Sequence, residues 1–257
     1  MAEPVAQIRR FQASDDKVVR FIIGKASMES LAVANRRAYI HPFIITLWLI
    51  LSYVIIDFMD MWPKTQFGFI GYLHPLPMLA ATAVPIMFLI DWLNRPVFEQ
   101  LVQEVLRGPD MFDILGYYSR SPSSGLWILD YGDLFVGLIA LDASNDSQLT
   151  TIGKAGGGTK GTASTATIRH FYVDEAYRTT GIQEDLLNHA VQFAFDADPR
   201  VQQIRAPDSP LIPYVRASLR DAGFVLDEHT QRVGVLGWKL GMRVLDKKDF
   251  KGRPKVE

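Results

Sequence analysis

The chain has 257 residues, 48% of them hydrophobic and 21% charged, with a formal net charge of -1. That length accommodates one large domain or two small ones, and the composition excludes collagen-like, disordered and coiled-coil chains. The absence of cysteine excludes thiol nucleophiles, cysteine-ligated zinc and disulfide scaffolds, and the near-neutral charge argues against a nucleic-acid partner.

Residues 5–11 (VAQIRRF) read as a short strand, and Ser14-Asp15-Asp16 as a helix N-cap with acidic first-turn residues. The helix runs through Val18, Phe21 and Ile22 to Leu31, apolar on one side. Residues 40–59 (IHPFIITLWLILSYVIIDFM) then have only His41 and Asp57 as groups that can be charged near neutral pH, and twenty residues is the length that crosses a bilayer core of about 30 Å as a helix. Residues 67–90 form a second apolar stretch, interrupted by Pro75, Pro77 and Pro85. Together they read as a transmembrane helical hairpin over residues 40–93; buried core helices, or a hairpin that dips in and returns, are the alternatives. Lys25, Arg36, Arg37, Arg95 and Arg107 flank it and only Lys64 lies in its turn, so both termini are expected to face the cytosol.

Residues 96–106 (PVFEQLVQEVL) read as an amphipathic helix stopped by Gly108-Pro109. Residues 125–130 and 135–142 form a β-hairpin in outline. Residues 143–165, rich in Ser, Thr, Gly and Ala, read as a flexible loop. In that loop Gly153 and Gly158 have phosphate-loop spacing, but Thr159 stands where lysine is required, so a linker is the better reading. Asn145-Asp146-Ser147 is a glycosylation sequon that a cytosolic domain leaves unmodified. Strands at 167–173 and 201–206 alternate with helices at 183–197 and 209–222, and Gly223 ends the last helix as a left-handed cap would. Strands near 224–227 and 233–244 follow, and 247–257 is a basic tail whose Arg253 and Lys255 loosely match a cytosolic dibasic retrieval signal of the endoplasmic reticulum. The expected class is α/β, a mixed sheet flanked by helices, with the hairpin between the first two helices. The α/β part takes in residues 1–39 and 94–246.

Val173-Asp174-Glu175-Ala176-Tyr177-Arg178-Thr179-Thr180-Gly181-Ile182 follows a strand and opens a helix. This resembles the acetyl-CoA motif of the GNAT superfamily of N-acetyltransferases, in which Arg or Gln, two residues, Gly, one residue and Gly or Ala form the pyrophosphate loop. Backbone N–H groups at a helix start point at phosphates, and small residues let the backbone come close. The order of elements is similar to the family's, and the inserted hairpin resembles the camello-like membrane branch, as do the start Ile8-Arg9-Arg10-Phe11 and His170, three residues before the loop valine. The resemblance implies acetyl-CoA as cosubstrate and cofactor contacts at Tyr172, Val173, Arg178, Thr179, Thr180, Gly181, Ile182 and Gln183. It implies His170 or Glu175 as the base, a primary amine as acceptor, and residence in the endoplasmic reticulum membrane; no metal site is expected. Two positions depart from the family: Gln183, with Glu184 and Asp185 after it, replaces the small loop residue, and Leu219 replaces the tyrosine that reprotonates the CoA thiolate. They leave a second reading open, a GNAT-fold protein without catalysis that binds or chaperones another membrane protein.

Overall fold

Runs of β-branched, leucine and aromatic residues form strands, and the computed structural model, which describes residues 5–63, 65–132, 134–147 and 161–250, gathers seven of them into one mixed sheet. They are β1 (Ala6–Arg10), β2 (Gly125–Tyr131), β3 (Leu134–Ser144), β4 (Thr162–Val173), β5 (Gln203–Asp208), β6 (Val225–Val233) and β7 (Trp238–Asp246), in the spatial order β1-β2-β3-β4-β5-β7-β6. The helices are α1 (Asp16–Tyr39), α2 (Pro42–Phe58), α3 (Leu76–Leu106), α4 (Ile114–Tyr118), α5 (Ile182–Ala197) and α6 (Pro213–Asp221). Pairing is antiparallel from β1 to β4 and between β5 and β7, whereas β4 and β5 run parallel. A parallel join needs a crossover, which α5 supplies.

The chain divides into two units. The first comprises Met1–Met28, Leu101–Arg232 and Trp238–Glu257, and contains the sheet. Its central strands β2 and β3 are apolar on both faces. In β2, Trp127 and Leu129 enter a core with Ile168, Leu186 and Val191, while Leu126 and Ile128 alternate into a second core with Val19, Ile23, Leu138 and Tyr118. At the positions after α6 and before α5, Gly223 (φ 93°) and Gly181 (φ 79°) adopt the left-handed conformation that favours glycine.

The second unit comprises Glu29–Gln100 and Val233–Gly237. Pro42 cannot continue a helix, so His41 is extended and its Nδ1 accepts from the Phe43 N–H at 3.3 Å to cap α2. α2 and α3 are joined by polar contacts: the Trp48 indole donates to Thr82 Oγ1 at 3.1 Å, and Ser52 and Thr82 hydroxyls lie 2.7 Å apart. Phe43, Ile50, Val54 and Phe58 of α2, and Val84, Phe88 and Trp92 of α3, are exposed.

Several sequence expectations can be set beside the structure. Gly71–Leu106 is the one helix among the described residues long and apolar enough to cross a membrane by itself; Ala13–Tyr39 with Pro42–Phe58 meets that test only as a pair bent by 55°. The 17 residues of α2 rise about 26 Å, short of a bilayer core. The helix expected at 96–106 is not separate, because α3 continues through Pro85 and Pro96. The segment between is held in the helix by an Asp91–Arg95 ion pair at 2.6 Å and by buried Asn94, which donates to Asn35 at 2.8 Å. β4 begins at Thr162, five residues early, because pairing to Ser144 of β3 and Gln203 of β5 organises a small-residue run with no apolar alternation. Of the loop expected at 143–165, residues 143–144 belong to β3 and 162–165 to β4, and residues 148–160 lie outside the described residues. α4 carries no sequence signal long enough to read. Gly153, Gly158, Thr159, Lys64, Arg253 and Lys255 lie outside the described residues.

Candidate active site

β4 and β5 pair only at Thr165–Gln203, Ala166–Ile204 and Thr167–Arg205. Beyond that point Ala206 to Asp208 pair with β7 alone, and Ile168 and His170 to Val173 with β3 alone. The two strands thus leave facing backbone edges unpaired, and an amide-bearing chain could add to them. A cleft of about 150 Å3 opens there, lined from one face by Ile23, Leu138 and Tyr172 and from the other by Ile212, Val215 and Leu219. The register slips in β4 opposite Ala140 and Leu141, so Arg169 has no partner on β3 and both Arg169 and His170 line the cleft.

His170 Nε2 lies 2.6 Å from Oδ2 of Asp110, which also accepts from the Tyr118 hydroxyl at 2.9 Å. Asp110 is 3% exposed. Burial alone would push its carboxyl up, but the hydrogen bond and charge of His170, with Arg169 and Tyr118, hold it below the usual carboxylate range. An ionised carboxylate only accepts, so Nε2 donates to it, and in the neutral ring the lone pair that can take a proton is on Nδ1. Sequence reasoning found His170 and missed Asp110, which sits in the turn Pro109–Met111, read only as a helix stop. Glu175, the other candidate base, is exposed in the turn Glu175–Tyr177 and does not line the cleft.

Tyr172 is buried, and its hydroxyl donates to Asp174 at 3.2 Å, where Lys25 Nζ also reaches at 3.4 Å. Burial, against the Lys25 contact, holds the phenol above its usual range, so it keeps its proton. Leu219 is fully buried and lines the cleft, so no hydroxyl stands at that position.

The loop after β4 is tied to itself. Arg178 Nε donates to the Val173 carbonyl at 2.8 Å, and its guanidinium stacks 3.9 Å from the Tyr214 ring centroid. Gln183 Nε2 donates to the Arg178 carbonyl at 3.1 Å, and the Thr180 hydroxyl to the Tyr177 carbonyl at 2.7 Å; Thr179 is exposed. Arg178 therefore organises the loop. Gly181 caps α5 without a side chain and its carbonyl accepts from the Glu184 N–H at 3.0 Å, so of the first turn the Ile182 and Gln183 N–H groups precede the first helical hydrogen bond. That geometry suits an anion, but Glu184 and Asp185 occupy the same first turn. Neutralising both (E184Q/D185N) is expected to tighten acetyl-CoA binding about threefold to thirtyfold by calorimetry. An unchanged affinity would remove this account of the loop.

The Acetyltransferase (GNAT) family model matches residues 87–210, just under half of the chain. No curated protein matches the chain. Among solved structures, it is similar to spermidine N-acetyltransferase from Vibrio cholerae in complex with CoA and spermine, at 10% identity over 95% of this chain and 96% of that one, TM-score 0.46. It is similar to ribosomal-protein-S5-alanine acetyltransferase from Vibrio fischeri at 14% identity over 98% of each chain, TM-score 0.42. An acetyltransferase of the GNAT family from Streptococcus pneumoniae matches at 11% identity over 53% of this chain and 74% of its own, TM-score 0.42. In a further match the chain spans only 64% of that chain's length. With scores this low, support for the GNAT superfamily comes from the family model, and the mixed sheet flanked by helices is of that type.

Proposed function

We propose that this chain is an acetyl-CoA-dependent N-acetyltransferase that acts on a primary amine and is held at the endoplasmic reticulum membrane with its α/β unit in the cytosol. The reading is carried by His170, a cleft residue whose ring is held by a buried carboxylate at 2.6 Å. The unpaired backbone edges of β4 and β5 and the start of α5 are the groups that would hold the cosubstrate's amide arm and phosphates. The amine nitrogen attacks the thioester carbonyl, the C–S bond breaks, and the proton lost by nitrogen passes to His170 and on to the CoA sulfur. No cysteine exists to carry the acyl group, which accords with direct transfer. Calorimetry on the full chain in detergent with millimolar acetyl-CoA is the test, and absence of binding would end the reading.

Membrane attachment is supported by the length and apolarity of Gly71–Leu106 and by the exposed apolar side chains of α2 and α3, a surface that water disfavours. The protein is expected to stay in the pellet when membranes are extracted with alkaline carbonate; release into the supernatant would show peripheral attachment at most. Glycan on Asn145 would place the α/β unit in the lumen. A second reading, a binding or chaperone factor for another membrane protein, is favoured by Glu184 and Asp185 at the anion position and by Leu219 in the cleft wall.

A further inference from the structure

We propose that the acceptor is a primary amine carried on an apolar, otherwise uncharged body; this rests on the acyl-transfer reading above. The His170 imidazole bonds Asp110, which is tied to Tyr118, so the base lies on the face of the sheet that carries the second core. On that face the cleft wall is made of Ile23, Ala26, Ser27, Val105 and Leu138. Its two hydroxyls have already given their protons, Ser27 to the Ile23 carbonyl at 2.8 Å and Tyr172 to Asp174, and keep only neutral acceptor lone pairs. The rest of that wall is carbon.

Charge points the same way. Arg169, His170 and Tyr172 are the ionisable residues of the lining, and no carboxylate is among them. A second ammonium on the acceptor would be desolvated there without a counter-ion. The reacting amine escapes that penalty, because it attacks as the neutral base. Its nitrogen gains the acetyl carbon as the C–S bond breaks, and the proton it loses goes to His170 Nδ1 and then to the CoA sulfur.

The test is a series from butylamine to octylamine, with spermidine alongside, given to the full chain in detergent with acetyl-CoA, reading release of the CoA thiol. kcat/KM is expected to rise about threefold to fourfold per methylene and to be lowest for spermidine. A flat series, or faster turnover of spermidine than of octylamine, would overturn the inference while leaving acetyl transfer standing. Ala26→Asp, or Ser27→Asp where the first does not fold, is expected to flatten the series and improve spermidine relative to octylamine, with the KM for acetyl-CoA unchanged. A slope equal to that of the unsubstituted protein would assign chain-length dependence to the micelle and overturn the inference. A protein that binds no acetyl-CoA removes the acyl-transfer reading and this inference with it.

Discussion

Replacing His170 with alanine is expected to lower kcat by about 10²–10⁴-fold, the usual contribution of a positioned general base, while leaving the KM for acetyl-CoA unchanged. The loss follows from geometry. With Nε2 engaged by Asp110, the ring offers one basic nitrogen, and the other candidate base, Glu175, lies outside the cleft lining. Asp110→Asn separates charge from hydrogen bonding at the same place. Both contacts, from His170 and Tyr118, fall on one oxygen, Oδ2, so an amide oxygen placed there still accepts both. Only the negative charge that stabilises the imidazolium formed during transfer is lost. That is worth about 1.5–3 kcal/mol for a charged hydrogen bond, a fall in kcat of roughly tenfold to a hundredfold. A purely structural Asp110 would instead lower the melting temperature and leave kcat of the folded fraction alone. Activity of H170A within tenfold of the unsubstituted protein would show that another group takes the proton.

How far the site is legible in the sequence depends on the distance over which each part is made. β2 and β3 are visible because GLWIL and LIAL are apolar runs bounded by turn residues. α5 is visible because Leu186, Ala190 and Ala194 recur at helical spacing, and all three are buried. His170 is found by its place before Val173, a local relation. Asp110 lies sixty residues away from it in the chain and is brought near only when the turn Pro109–Met111 packs beside β4. Lys25 likewise reads as a charge flanking an apolar segment, yet in the fold it reaches Asp174 beside Tyr172. The parting of β4 from β5 has no sequence signature, because Thr165 to Thr167 pair with β5 and the residues just after them do not. A cleft made by the end of a pairing cannot be read from propensity, which is a property of single strands.

Asp142→Ala is expected to destabilise the first unit by about 3–5 kcal/mol, the usual result of removing one partner from a buried ionic group. Asp142 has no solvent exposure. Its carboxylate accepts from the Ser144 hydroxyl at 2.6 Å, the Tyr117 hydroxyl at 2.8 Å, the Ser144 N–H at 3.0 Å and Arg169 Nε at 3.2 Å, and Arg120 approaches to 3.4 Å. Burial, with the adjacent Asp142 charge, pushes the Tyr117 hydroxyl well above its usual range, so it stays a donor throughout the accessible pH range. Alanine would strand that phenol and the Arg169 guanidinium in the interior. Arg120 keeps Asp146 at 2.9 Å, but Arg169 loses the one carboxylate that pairs with it among the described residues. For a unit of this size the loss lowers the melting temperature by roughly 10 °C, measurable by thermal scanning in detergent. A drop below about 3 °C would mean that water reaches the cluster and replaces the carboxylate. Because Arg169 precedes His170 on β4, D142A is also expected to reduce activity, but in proportion to folded protein. D110N is expected to reduce activity with little change in melting temperature. Finding the two carboxylates interchanged in these respects would move the catalytic assignment from Asp110 to Asp142.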